Sequence, residues 1–331
     1  MKNSNIFTSP HWHNVSEAKQ NLVIPVEVDP SNTVDLSLQI NSLLGIKIAE
    51  MSGEPIIQYN DLASINDGNL NDFQDHIIPL LKQNGIDLIY FHNVKSDSNL
   101  YQLIKNIGEI IAHKKAPYID LTQFSNLDDY LKSLSANSRK SKRRALKKLE
   151  TTFQVEFETS IDAQIDAELF NQVIQLKKDQ LTRLGQTSRL FESKAEIENL
   201  KNIILKPNKD FKCIFSLLKC DGEIAAAEIG YLHNGTYYSF LGAMNEAFQS
   251  YSPGSCQLIK TIEWALAAKI QTFDFLAPDD AYKSSWTDNL YVEVYDFILP
   301  LSFKGQIIGN LYLKTLRPLL KKAYLYVKAS K

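Results

Sequence analysis

The sequence predicts a mixed α/β fold in two units, and three observations carry that reading. Short β-rich runs alternate with segments of helical period along nearly the whole chain. Two of these runs end in the turn triplets Cys220-Asp221-Gly222 and His233-Asn234-Gly235. Antiparallel hairpins therefore sit among helix-linked strands, and the sheet must be mixed. The length, 331 residues, exceeds the roughly 100–200 residues of a single domain.

In chain order, Leu22 to Val28 and Ile46 to Glu50 are strand-like, and Met51-Ser52-Gly53-Glu54 turns into a further run from Pro55 to Tyr59. Asp72 to Gln83 repeats apolar residues at helical spacing and stops at Asn84-Gly85, where glycine suits a left-handed cap. Asp87 to Phe91 is an apolar strand, Leu100 to Ile111 a helix and Tyr118 to Leu121 a short strand. The composition then changes. Between Lys132 and Lys148 stand Arg139, Lys140, Lys142, Arg143, Arg144 and Lys147 and no acidic residue. Leu131, Leu134, Leu146 and Leu149 keep an apolar stripe, so the segment is an amphipathic connector helix. It sets a boundary between residues 1–135 and 136–331.

The second half opens with the strand Phe153 to Phe157. Helices follow from Ala167 to Leu184, ending at Gly185, and from Lys194 to Leu205, stopping before Pro207. Phe211 to Leu218, Ile224 to Leu232 and Thr236 to Leu241 are the hairpin-linked strands. Tyr251-Ser252-Pro253-Gly254 opens a helix from Ser255 to Lys269, followed by the strand Thr272 to Leu276, a helical turn over Ala281 to Trp286 and the strand Tyr291 to Leu299. A basic amphipathic helix begins near Gly305 and is kinked at Pro318.

Composition bounds the function classes. Lys and Arg number 36 against 38 Asp and Glu, a formal charge of −2, with 44% hydrophobic residues. That balance argues against whole-chain polyanion binding, and no DNA partner is expected. Cys213, Cys220 and Cys256 show no CxxC spacing, so neither a disulfide framework nor structural zinc is expected. His11 and His13 flank Trp12 without further ligands at metal spacing, and incidental packing is the expectation there. MKNSNIFTSPHWHN lacks an apolar signal core, and no window approaches the roughly 18–20 apolar residues of a spanning helix. The expected location is cytoplasmic.

Three blocks bring the second half close to a known family: SRKSKRRALKKLE at Ser138 to Glu150, AFQSYSPGSCQLIKTIEWA at Ala247 to Ala265, and FDFLAPDDAYKSSW at Phe273 to Trp286. With the order β-α-α-β-β-β-α-β-α-β they resemble the GNAT acyltransferases. The tandem arrangement resembles their FemAB-like branch, in particular the CelD-like acetyltransferases named for cellulose biosynthesis. LKKDQLTRLG at Leu176 to Gly185 is a weaker match, through Lys178, Gln180 and Gly185. The resemblance implies a degenerate GNAT-like domain over 1–135 and an acyltransferase domain over 136–331. The implied reaction moves an acyl group from acyl-CoA (acetyl-CoA), without a metal, to a small-molecule amine such as an amino sugar or an envelope or polysaccharide precursor. The similar Fem ligases use aminoacyl-tRNA, so tRNA is the alternative donor. A degenerate accessory or scaffold protein is the alternative without chemistry.

The resemblance also points to sites. Ser239, Leu241 and Gly242 lie on the strand whose backbone N–H groups polarise the donor carbonyl in this fold. Tyr251, Ser252, Pro253 and Gly254 precede a helix start able to hold an anion; Ser252 as a plain helix cap is the alternative. Typical members carry a Gly-rich run here, and this chain has a single Gly. If the Ala281 turn is helical, Asp279, Lys283 and Trp286 share a face. Asp279 would then accept the amine proton, Tyr282 protonate the leaving group and Lys283 hold a phosphate or oxyanion; an Asp279–Lys283 surface ion pair is the alternative. Asp274 marks the strand end, either toward substrate or as a structural carboxylate. Lys178 and Gln180 lie on the acceptor-side helix. The basic connector can grip phosphates of a carrier, tRNA or lipid, or can simply be solvated. Lys314, Arg317, Lys321, Lys322 and Lys328 give the last helix a weak membrane-surface option.

Overall fold

The computed structural model describes residues 5–13, 21–29, 32–43, 45–63, 73–206 and 208–316. Its strands are β1 (Asn21–Asp29), β2 (Asn32–Leu43), β3 (Ile46–Met51), β4 (Leu88–Lys95), β5 (Glu109–Asp120), β6 (Val155–Ile161), β7 (Lys212–Cys220), β8 (Glu223–His233), β9 (Thr236–Met244), β10 (Thr272–Asp274) and β11 (Tyr291–Pro300). Its helices are α1 (Pro10–His13), α2 (Ile78–Gln83), α3 (Asn99–Ile104), α4 (Leu127–Ser133), α5 (Ala136–Thr152), α6 (Ala167–Leu184), α7 (Arg189–Glu192), α8 (Lys194–Leu205), α9 (Pro253–Ala267), α10 (Ala281–Ser284) and α11 (Phe303–Ile307). Among the described residues no helix is long and apolar enough to cross a membrane.

The chain divides into two compact units. Unit 1 takes Met1–Lys114 and Val292–Lys331, and unit 2 takes Lys115–Tyr291. The divisions thus fall inside β5 and β11 and not at 135/136, where the basic connector had suggested one. Backbone pairing explains the difference. Val294 to Pro300 of β11 pair antiparallel with β4, whereas Tyr118 to Asp120 of β5 pair with β10. The basic helix α5 lies well within unit 2.

In unit 1, β1, β2 and β3 form an antiparallel meander and β3 runs parallel to β4. β2 was not anticipated, although Val34, Leu36, Leu38 and Ile40 alternate at the period of a half-buried strand. Pro55 to Tyr59 is turn and coil, not strand: Gly53 sits at φ +95° and Pro55 has no N–H to give a ladder. The helix expected over Leu100 to Ile111 ends at Ile104, and Glu109 already begins β5. Gly108 intervenes, with the Phe297 ring and the Ile104 carbonyl close to where a Cβ would stand. Trp12 is buried and its Nε1 donates to the Ile6 carbonyl at 2.8 Å, as packing demands. The helix near Gly305 begins as α11 and continues as a wider turn over Ile308–Leu316. Pro318, Arg317, Lys321, Lys322 and Lys328 lie outside the described residues.

Unit 2 orders its strands as the second half of β5, then β10, β9, β8, β7 and β6. Asp221-Gly222 and Asn234-Gly235 all have positive φ, the geometry that two-residue hairpins favour. Asp166 caps α6 through the Leu169 N–H, and Gly185 ends it in the left-handed region at φ 54°. Helix α9 lies over the sheet through Leu258, Ile259 and Ile262, which bury against Ile214, Tyr237 and Phe273. Leu149 of α5 extends this apolar layer toward Cys256.

Candidate functional site

The site begins where two parallel strands part. β9 and β10 pair only from Thr236–Thr272 to Tyr238–Asp274, yet β9 runs on to Met244. Beyond Tyr238 that edge has no strand partner among the described residues. Facing β8, the register slips between Ile229–Leu241 and Gly230–Ser239, leaving Phe240 as a bulge. Bulges bend a strand and re-aim its side chains. Gly242 follows; it is exposed, and nothing lies within 4 Å of where its Cβ would stand. The three strand residues expected at a donor site, Ser239, Leu241 and Gly242, thus frame an open wedge.

Under the wedge lies a carboxyl that the sequence reading missed. Glu228 of β8 is 5% exposed and pairs across the ladder with Gly242. The Tyr237 hydroxyl donates to it at 2.7 Å, and Ser239 also hydrogen-bonds to it. Burial pushes its pKa up to about 7, against the opposing pull of those two hydroxyls. The adjoining buried polar group is completed by Ser216, Thr261 and Gln257, whose Nε2 donates to Ser216 Oγ at 2.7 Å. A run such as AAAEIGY gives no sequence motif for a base, so only the fold exposes Glu228.

On the wedge's other side stands α6. Lys177, rather than Lys178, reaches β9: its Nζ donates to the Gly242 carbonyl at 2.7 Å and to Gln180 Oε1 at 3.4 Å. Burial lowers its pKa to about 8. Gln180 is itself buried, while Lys178 is only partly covered and makes no hydrogen bond to the site among the described residues.

The Tyr251 to Gly254 loop is drawn together from three elements. Ser252 adopts the left-handed conformation at φ 56°, and Pro253 starts α9 without a side-chain cap. The N–H groups of Ser255 and Cys256 both return to the Ser252 carbonyl at 3.0 and 3.2 Å, and Pro253 has no N–H. That leaves the Gly254 N–H as the donor of this turn with no partner among the described residues. Gly254 packs so closely on Met244 that a Cβ would stand 2.5 Å from the Met244 Sδ. Two cations flank the loop. Lys148 donates to the Ser250 carbonyl at 2.9 Å with its Nζ 4.6 Å from the Tyr251 ring centre, and Arg183 donates to Gln249 Oε1 at 3.1 Å.

The segment after β10 carries the remaining expected residues. Asp274 is buried and accepts from the Leu276 N–H at 2.8 Å, which fixes the strand exit. Helix α10 starts at Ala281, with Asp280 as its cap accepting from the Lys283 N–H at 2.9 Å. Asp279 therefore lies before the helix, exposed, and the expected shared face with Lys283 does not form. Lys283 Nζ instead donates to the carbonyls of Leu276 and Pro278 at 3.0 and 2.8 Å. Burial lowers its pKa, opposed by Asp280, Asp274 and Asp279. Tyr282 is 51% exposed, and partial burial with the nearby charges of Glu228 and Asp280 holds its hydroxyl above the ordinary tyrosine range.

Trp286 is an anchor rather than a substrate contact: it is 1% exposed, with Lys142 Nζ 4.0 Å above its ring. Lys142 belongs to the basic helix but is itself buried. It donates to Ser138 Oγ at 2.5 Å and to the Ser285 carbonyl at 2.9 Å, and burial lowers its pKa to about 8. Ser138 also donates to the Ser285 carbonyl, and Tyr130 to that of Trp286. Helices α4 and α5 thereby fasten the turn that presents Tyr282 and Lys283.

Residues 136–284 match the family model described as the acetyltransferase (GNAT) domain. Similar solved structures extend the likeness to most of the chain. FemX is 14% identical with a TM-score of 0.66, covering 94% of this chain and 95% of that one. The C-terminal domain of a putative lysylphosphatidylglycerol synthetase from Agrobacterium fabrum is 11% identical, with a TM-score of 0.58 and 90% of each chain covered. A tandem GNAT protein from the clavulanic acid biosynthesis pathway is 10% identical, with a TM-score of 0.51 and 90% of each covered. At these identities the likeness is one of fold. No curated protein matches the chain in sequence. Residues 136–284 thus match a GNAT acetyltransferase domain, and the solved structures share the fold of most of the chain.

Proposed function

We propose that this GNAT-domain protein transfers an acyl group from a thioester donor of the acyl-CoA type to an amine, at the wedge between β9 and β10. The observation that carries the reading is Glu228, a buried carboxyl poised near neutrality beside an open strand edge. A general base with a pKa near the working pH combines the right protonation state with useful basicity. In this role Glu228 replaces Asp279, which lies exposed outside the helix.

The donor carbonyl lies along the free edge of β9 near Ser239 to Gly242, where backbone N–H groups polarise it. The amine nitrogen bonds to the carbonyl carbon and gives a proton to Glu228. The carbon–sulfur bond then breaks, and the departing thiolate takes a proton from the Tyr282 hydroxyl, which half-exposed Tyr282 regains from solvent. An ammonium has three N–H donors, and Lys283 uses two of them on the Leu276 and Pro278 carbonyls. The third is left for an oxyanion or phosphate. Lys148, Arg183 and the Gly254 N–H hold the donor phosphate, and Lys177 with Gln180 borders the acceptor. The acceptor class that suits this reading is an amino sugar or another envelope or polysaccharide precursor.

The test is acetyl transfer from acetyl-CoA to a panel of amines, followed as thiol release. Glu228→Gln should cut turnover at least about 100-fold with little change in donor affinity; full activity in that variant would remove the proposed base. A second reading, aminoacyl transfer from aminoacyl-tRNA, is favoured by the single glycine of the loop together with basic helix α5.

A further inference from the structure

The exposed stripe of α5 that precedes Lys148 has no part in the acyl transfer above, and its geometry is specific. Lys140, Arg144 and Lys147 are exposed and make no hydrogen bond or ion pair among the described residues. Their neighbours behave otherwise. Lys142 is buried under the α10 turn, and Arg143 bonds Asp128 at 2.6 Å. At 100° per residue, positions 140, 144 and 147 fall on one stripe about 10 Å long. Lys148 lies next along the helix and touches the loop that opens α9. A short cationic track on a protein of net charge −2 therefore ends at the donor loop.

We infer that this track docks a small acidic protein that delivers the acyl group on a phosphopantetheine arm; the inference rests on the thioester reading above and names its donor. Charge complementarity fixes the sign of the partner, and a stripe of two helical turns matches two turns of an acidic helix. The loop agrees with the donor chemistry. A pantetheine arm attached to a protein brings one phosphodiester, whereas free CoA brings a diphosphate and a further phosphate. One backbone N–H, with Lys148 and Arg183 flanking the loop, suits a single phosphate better than a diphosphate with a further phosphate. Base stacking of a single RNA strand has no platform here, because the face bears no aromatic ring. The Tyr251 ring beside Lys148 packs edge-on against Phe153 at 4.9 Å.

Titration calorimetry on the full chain decides it. The probes are an acyl carrier protein bearing an acetyl group on its phosphopantetheine, acetyl-CoA, acetyl-pantetheine and bulk tRNA. Each is titrated into wild type and a K140E/R144E/K147E variant whose thermal unfolding matches wild type. The expected result is salt-sensitive carrier binding that the variant weakens at least about tenfold, with acetyl-CoA affinity unchanged. Equal carrier affinity in both proteins would overturn the docking face, as would tRNA binding that the variant abolishes in the absence of carrier binding. Acetyl-CoA binding without carrier binding overturns the docking alone. If no thioester binds, the acyl-thioester reading falls with it.

Discussion

Gly230 stands where any side chain would collide with the ring of Tyr237, and that empty space lets the Tyr237 hydroxyl reach Glu228 at 2.7 Å. A methyl group at position 230 must displace the ring from a packed layer formed with Phe273 and Trp264. Gly230→Ala is expected to destabilise unit 2 by about 2–4 kcal/mol, as overpacking and a lost buried hydrogen bond add. Tyr237→Phe, which removes only the hydroxyl, should cost about 1–2 kcal/mol. Urea midpoints of the two variants check the order. A Gly230→Ala protein as stable as wild type would mean that Tyr237 is not confined by this glycine.

The titration of Glu228 gives a pH dependence with a definite sign. Its carboxyl is held up to about 7 from an ordinary value of 4.5. Between those values the folded state binds the proton and the unfolded chain has released it. This contribution to stability is therefore full at low pH, falls as pH rises from 4.5 toward 7, and is lost above. Glu228→Gln should flatten the decline in urea midpoint over that window. An identical decline in the variant would place the responsible group elsewhere.

Lys142 is expected to matter for stability and site geometry rather than for surface charge. Lys142→Ala removes hydrogen bonds to Ser138 and Ser285 and the cation above Trp286, a loss of about 1–3 kcal/mol. The emission of Trp286 should shift as the α10 turn loosens. Arg144→Ala, on the exposed stripe, should change neither; equal effects of the two substitutions would contradict the burial of Lys142.

Much of unit 2 was legible because local signals agreed with the fold. Asn234-Gly235 announced its hairpin, Gly185 its helix end and the basic run its helix. Side-chain direction was less legible. Lys177 and Lys178 are adjacent in sequence, and only the packing of α6 against β9 selects the first. Asp279 and Asp280 are likewise interchangeable by composition, yet the cap falls on Asp280 and removes Asp279 from the helix. Glu228 was invisible because its chemistry comes from burial and from Tyr237, a partner on the next strand. The unit boundaries were hidden for a related reason: pairing of β11 with β4 joins residues some 200 positions apart, as the contact of Tyr90 with Asp296 shows. No local pattern encodes such a pairing.

In the proposed reaction the wedge opened by β9 beyond Tyr238 receives the acyl donor. Gly242 offers the most direct measurement, since a side chain there meets no protein atom within 4 Å and would instead fill the wedge. Calorimetric titration of acetyl-CoA into Gly242→Trp, beside wild type, should show donor binding lost in a variant that unfolds at the wild-type temperature. Unchanged acetyl-CoA affinity in that folded variant would contradict the site.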